Sequence, residues 1–361
     1  MPFSPPPKER RRHARRDSGR RFPLTPLLCW VAAVLLVPVV TAGCGVTPSA
    51  LTPAARFDDQ MRLALDAYRN GNSEAGQRFL QAAVAAATPL VSAASGGTES
   101  DAYVLVGERL ATQGRPAEAA TFLQDALRKP SLDWSPQLWM TVAEAWALAG
   151  DRARAEVARA QAKERAERIM ATAGDDGRSG DEKRRSRGAD AAARLRRQAQ
   201  FLQVGFFYHQ KLKDTPGALR AWREAVRLGD ENPYALNALG YTLADEGKDP
   251  EDFKEALDLT RKALRLAPGN PMIQDSYGWA LFKTGDLAGA RRELREAVDA
   301  LPNEAELRYH LGVVYAQMGL TREAQTELTR ALRLRNNDYP DAAKAIRRLR
   351  QPPGEGIVRG A

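Results

Sequence analysis

Cysteine is nearly missing from this chain of 361 residues: Cys29 and Cys44 are the two it has, both near the N-terminus. A disulfide framework and a thiolate metal site are therefore excluded. Histidine is almost as scarce, with three residues in all. Outside the N-terminal region only His209 and His310 remain, with no His-x-x-x-His or other metal-ligand spacing. They read as surface or groove residues. There is no Gly-x-Ser-x-Gly elbow and no glycine-rich phosphate loop, and the acidic residues read as exposed partners of arginine on helix surfaces. No convergent catalytic set emerges, so neither an enzyme nor a cofactor or metal is expected.

An excess of basic charge is also lacking once the N-terminus is set aside. The formal charge is +9, but residues 1–43 hold eight Lys or Arg against Glu9 and Asp17. Without them 46 basic residues face 43 acidic ones, a net of +3. The nucleic-acid reading loses its main support, and a mixed-charge helical surface remains.

The N-terminus itself reads as an export signal. A basic stretch precedes an uncharged run from Leu24 to Gly45 that ends in small residues. The exit Val40-Thr41-Ala42-Gly43-Cys44 resembles a bacterial lipoprotein processing site, with Thr41 where leucine is usual. That resemblance implies cleavage after Gly43 and a lipid-modified Cys44, hence a bilayer partner through the acylated cysteine; Gly45 at the next position implies the outer membrane. An uncleaved signal anchor is the alternative, since about 20 uncharged residues could span a bilayer; Pro26, Pro38 and the small exit argue against it. Arg20-Arg21 could open a twin-arginine signal, which Phe22-Pro23-Leu24 fits poorly.

In the second half a signature returns every 34 residues: Gly278 and Gly312, Gly285 and Gly319, Ala290 and Ala324, Leu294 and Leu328, Ala297 and Ala331. Small residues let two antiparallel helices approach, Gly285 and Gly319 suit left-handed caps, and Pro268 and Pro302 close the second helices. Upstream, 233–270 carries Leu239, Gly240, Gly247, Ala256 and Ala263 with four extra residues, expected in the inter-helix turn. The stretch 198–232 carries Gly205, Trp222 and Ala225 with one extra turn residue. Weaker units lie at 136–169 and 100–135, and from Phe57 to about Leu90. The pattern resembles the tetratricopeptide repeat. That implies an all-α, right-handed α-solenoid of about seven helix-turn-helix units, which must stack to bury their apolar faces. The expected organisation is a signal at 1–43, a lipidated tether at 44–56, N-terminal units over 57–170 and a polar basic linker over 171–197. Four units over 198–338 and a capping helix and tail over 339–361 complete it. The linker, with Lys183, Arg184, Arg185 and Arg187 among acidic residues, reads as a solvated loop and possible hinge.

The repeat resemblance implies a concave binding face built from first-helix positions. Here these are Phe206 with Gln210; Tyr234, Asn237, Tyr241 and Asp245; Asp275, Trp279, Phe282 and Lys283; and Tyr309, Val313 and Gln317. Trp279 and Tyr241 stand one residue after the packing glycine, so they could face the groove or the neighbouring unit. Asn237 or Gln317 could bond a partner's backbone. The expected function is a membrane-tethered scaffold for envelope proteins. The stretch Asn-Pro-Tyr-Ala-Leu-Asn-Ala-Leu-Gly-Tyr-Thr-Leu-Ala at 232–244 and Asp275 to Trp279 look most like lipoproteins that recruit a processing protease. An envelope assembly factor is a further member of that class, and a glycan-binding or cell-wall accessory factor using the same face is the alternative.

Overall fold

Glycine sets the turn in most helix pairs, and the reason is the backbone angle each turn needs. Gly71, Gly114, Gly150, Gly285 and Gly319 all have positive φ, the left-handed geometry in which a side chain would be strained. A computed structural model describes residues 52–95, 98–174 and 187–350. The proposed signal at 1–43 and Cys44, like most of the linker and the tail, lies outside them.

The described residues are helical, with no strand among them. Helices pair in chain order: α1 (Pro53–Arg69) with α2 (Ser73–Ser95), and α3 (Glu99–Thr112) with α4 (Pro116–Ala126). After the single turn α5 (Pro130–Asp133), α6 (Pro136–Leu148) pairs with α7 (Arg152–Met170). Next comes α8 (Arg187–Phe206), continued by a π-helical turn at Phe207–Leu212, with α9 (Thr215–Leu228). Then follow α10 (Pro233–Glu246) with α11 (Pro250–Leu266), α12 (Pro271–Lys283) with α13 (Leu287–Ala300), and α14 (Ala305–Gln317) with α15 (Thr321–Leu334). α16 (Pro340–Arg350) covers the end.

In five of the seven described pairs the seam is a first-helix glycine beneath one side chain of the second helix. A Cβ on Gly278 would lie 2.7 Å from Leu294 Cγ, and one on Gly312 2.8 Å from Leu328 Cγ. The same place is filled by Leu123 over Gly107, Trp222 over Gly205 and Thr260 over Gly240. The flanking Ala290, Ala297, Ala324 and Ala331 are fully buried, as a close helix approach requires.

Two irregularities differ from the sequence expectation or refine it. The four extra residues of the 233–270 unit do not simply lengthen its turn. α11 starts at Pro250 and runs 17 residues, against 14 for α13 and α15, because Asp249 and Asp252 form a capping box that starts the helix early. In the 198–232 unit the extra residue is taken up by the π-helical turn, after which Lys213, not glycine, holds the left-handed position at φ 56°.

The core does not divide at the linker. Val204, Phe207 and Ala221 of the α8–α9 pair pack into the same cluster as Phe57 to Ala166, while Ile169 and Met170 pack against the cluster that begins at Phe201. Polar contacts join the two sides as well. The buried Gln203 amide donates to Ser100 Oγ and Asp101 Oδ2, both at 2.8 Å, and Lys211 donates to both oxygens of Glu144 at 2.7 and 2.9 Å.

Candidate partner-binding face

The first helices α10, α12 and α14 bring one row of side chains together, because positions one turn apart share a helix face. Asn237 and Tyr241 occupy that row on α10, Asp275, Trp279 and Phe282 on α12, and Tyr309 and His310 on α14.

Trp279 lies at the centre and is 4 % exposed. Its ring stacks on His310 (centroids 4.2 Å apart, planes 22° from parallel) and on Phe282 (4.9 Å, 26°). Its indole N–H donates to Asp245 Oδ1 at 3.2 Å. Between groove and packing, the two facings left open by the sequence, Trp279 is thus an inter-unit packing residue that also backs the face. Tyr241 is half-buried. Its hydroxyl donates to Glu306 Oε1 at 2.5 Å, a bond between residues 65 apart in sequence. Burial, reinforced by Glu306, Asp245 and Asp275, holds its phenol well above the usual tyrosine range.

His310 is not the surface or groove residue expected. It is 2 % exposed, and its Nδ1 is 2.8 Å from Asp275 Oδ2. Asp275 is buried too, so it also departs from the expectation that the carboxylates sit on helix surfaces. Burial alone would lower the imidazole pKa, but Asp275, with Glu306 and Asp245, outweighs it and raises the value above that of free histidine. The raised value favours the imidazolium form of His310 against the Asp275 carboxylate under the Trp279 ring. The second oxygen, Asp275 Oδ1, has no partner.

Asn237 is 1 % exposed, and neither its amide oxygen nor its amide nitrogen has a hydrogen-bond partner. Such a group is unusual, since an unsatisfied buried polar atom costs about 1–3 kcal/mol.

The other expected residues are less central. Phe206 is half-buried edge-on to Trp222 (5.4 Å), Tyr234 is half-buried at the start of α10 and Gln317 is exposed at the end of α14. Tyr309 is half-buried and packs on Tyr339 at 5.3 Å. Glu306 and Tyr339 carry no signal in the repeat pattern, since one lies in the first turn of α14 and the other just before the cap; sequence reading missed both. His209 lies away from this row, with Nε2 2.8 Å from Glu246 Oε1. Among the described residues no group of three or more His, Cys, Asp or Glu could hold a metal ion, and no helix is long and apolar enough to cross a membrane.

Comparison with known proteins agrees with the helix pairing. Tetratricopeptide repeat models match residues 61–133 and 208–271, and another matches 281–349. A TPR repeat-containing protein of Pseudomonas aeruginosa is 40 % identical over 103 residues, which is 28 % of this chain and 17 % of that protein. An interferon-induced protein with tetratricopeptide repeats from Cricetulus griseus is 29 % identical over 110 residues, 30 % of this chain and 22 % of that one. The chain thus spans about a fifth of the length of the curated relatives it matches. Among solved structures, the APC/C hetero-tetramer Cut9-Hcn1 aligns with a TM-score of 0.45 at 15 % identity, over 82 % of this chain and 53 % of that one. A tetratricopeptide repeat protein of Parabacteroides merdae aligns with a TM-score of 0.43 at 12 % identity, over 82 % and 99 %. Tetratricopeptide repeats are in general protein-interaction modules. With glycine seams, left-handed turns and three matched segments along its length, the chain belongs to the tetratricopeptide repeat family.

Proposed function

We propose that this chain is a non-enzymatic interaction scaffold of the bacterial envelope. It is held to a membrane, by preference the outer one, through acylated Cys44, and the inner face of its C-terminal pairs captures an extended segment of an envelope protein. A processing protease, its substrate or an envelope assembly component fits that role. The observation that carries the binding reading is the Asn237 amide, which is 1 % exposed and has no partner inside the protein, so that a partner segment would satisfy its donor and acceptor once the side chains over it move aside. A peptide unit of a partner chain offers the complementary pair, and the flanking Tyr241, Phe282 and Tyr309 rings would cover its apolar side chains.

The test is binding of extended peptides, selected by display on the full-length chain in detergent, to the wild type and to Asn237→Ala. Loss of a desolvated amide should weaken binding by about 1–2 kcal/mol, or roughly tenfold. Stability should hold or rise, because the variant removes an unsatisfied buried group. Equal affinity of both proteins would sink the reading. The tether is tested separately: Cys44→Ala should lose incorporation of labelled fatty acid and leave the membrane fraction. Fatty acid retained on that variant would contradict it.

A further inference from the structure

Two carboxylates on the inner face of the C-terminal pairs receive hydrogen bonds from aromatic side chains and are ion-paired to no cation among the described residues. Asp245 takes the Trp279 indole N–H, and Glu306 takes the Tyr241 hydroxyl. Asp245 is exposed and Glu306 half-buried, so both can be reached. Asp275 lies beneath them and its field reaches His310 and Tyr241, while that of Asp341 on α16 reaches Tyr309 and Tyr339; Glu304, at the start of α14, is coupled to Glu306. The cations facing the same rings are Lys283, Arg335 and Arg348, with His310 already tied to Asp275. Carboxylates therefore outnumber cations on this face.

The chain itself shows how a cation sits there. The Lys283 ammonium lies 5.2 Å from the Trp279 ring centroid and 5.6 Å from that of Phe253, and it donates to the Asp245 carbonyl oxygen at 3.3 Å. A ring face and an oxygen of the same residue that carries the unpaired carboxylate thus already hold an ammonium group. Aromatic faces attract cations through their quadrupole, most strongly for tryptophan and tyrosine. The half-buried Glu306 carboxylate is less screened than the exposed Asp245 carboxylate, and both strengthen that attraction.

We infer that the inner face of the last three helix pairs selects its partner segment by a basic side chain, lysine or arginine, seated against the Tyr241 and Tyr309 rings between the Asp245 and Glu306 carboxylates. This rests on the reading that the face captures an extended segment through Asn237, and it adds the sign of charge that the segment must carry. An acidic segment would meet Asp245, Glu306, Glu304 and Asp341 and be repelled. Lys283 acts as an internal competitor for the same field.

The experiment is display selection on the full-length chain, followed by titration of an enriched peptide and its copies with the basic residue changed to Gln or to Glu. Enrichment of a Lys or Arg position is expected, with about tenfold weaker binding of the Gln copy. A Glu306→Gln, Asp245→Asn double variant keeps both hydrogen-bond acceptors. It should weaken the basic peptide by about tenfold and leave the Gln copy unchanged, with its melting temperature as the check on folding. Lys283→Met should tighten the basic peptide. Added salt should weaken the basic peptide and spare the Gln copy. Enrichment without a basic position, or equal affinity of the Lys and Gln copies, would overturn this inference and leave the proposed capture of a segment intact. Enrichment of acidic peptides that depend on Lys283 would reverse its sign. No enrichment at all would overturn the proposed function and this inference with it.

Discussion

At the scale of single residues, the seam glycines oppose the usual preference of helices. Alanine is favoured over glycine inside a helix by about 1 kcal/mol, yet a Cβ on Gly278 would meet Leu294 Cγ at 2.7 Å and its backbone nitrogen at 3.2 Å. Overpacking of a tight core costs about 1–3 kcal/mol, and a backbone atom cannot turn aside as a side chain can, so the clash wins. Gly278→Ala should destabilise the protein by about 1–2 kcal/mol in denaturant titration, and Leu294→Ala in the same chain should recover part of it. His310 is the residue whose charge reports on pH. Its folded value is raised, so its contribution is fully present below the ordinary histidine value of 6.5 and is lost as pH rises through the folded value. His310→Gln should therefore melt lower than wild type at pH 5, with the gap narrowing towards pH 9. A constant gap would mean that the Asp275 bond does not depend on the imidazolium.

At the scale of elements, several helix starts and stops have an identifiable local cause. Asn232 and Asn270 open α10 and α12 in the same way, each side-chain oxygen accepting from two backbone N–H groups and each followed by proline at the first helical position. The α8–α9 turn is the exception, since Lys213 adopts a left-handed conformation that side chains resist by about 1–2 kcal/mol. Lys213→Gly should therefore raise stability by about 1 kcal/mol, a gain readable as a higher denaturation midpoint. A fall in midpoint would show that the stem of Lys213 packs favourably enough to outweigh its strain.

At the scale of the whole molecule, the linker joins two sides that are already held by a shared core. Gln203 reaches Ser100 and Asp101, Lys211 reaches Glu144, Arg197 donates to the Thr172 carbonyl at 2.9 Å, and Glu224 accepts from the Gly174 N–H at 3.0 Å. Near Lys211, burial pushes the Glu108 carboxyl up to about 7, with Lys211 opposing the shift and Glu144 adding to it. Because buried apolar contacts and not the covalent link hold the sides together, a chain cut at a protease site placed between residues 174 and 187 should elute as one species. Separation of the fragments in size-exclusion chromatography would show that the linker carries the association.

The sequence by itself determined the repeat. Close helix approach needs small residues at fixed spacing, left-handed turns need glycine, and helix ends need proline or a capping side chain, all within about 34 residues of chain. It also singled out Asn237, Tyr241, Asp275 and Trp279 by their place in the unit, because every unit presents the same first-helix face. Only the tertiary structure decided what those side chains touch. Stacking three units at a given curvature brings Tyr241 to Glu306 across 65 positions, puts His310 under Trp279 onto Asp275, and leaves the Asn237 amide without a partner. That curvature is a sum of packing contacts between units, and no single repeat contains it.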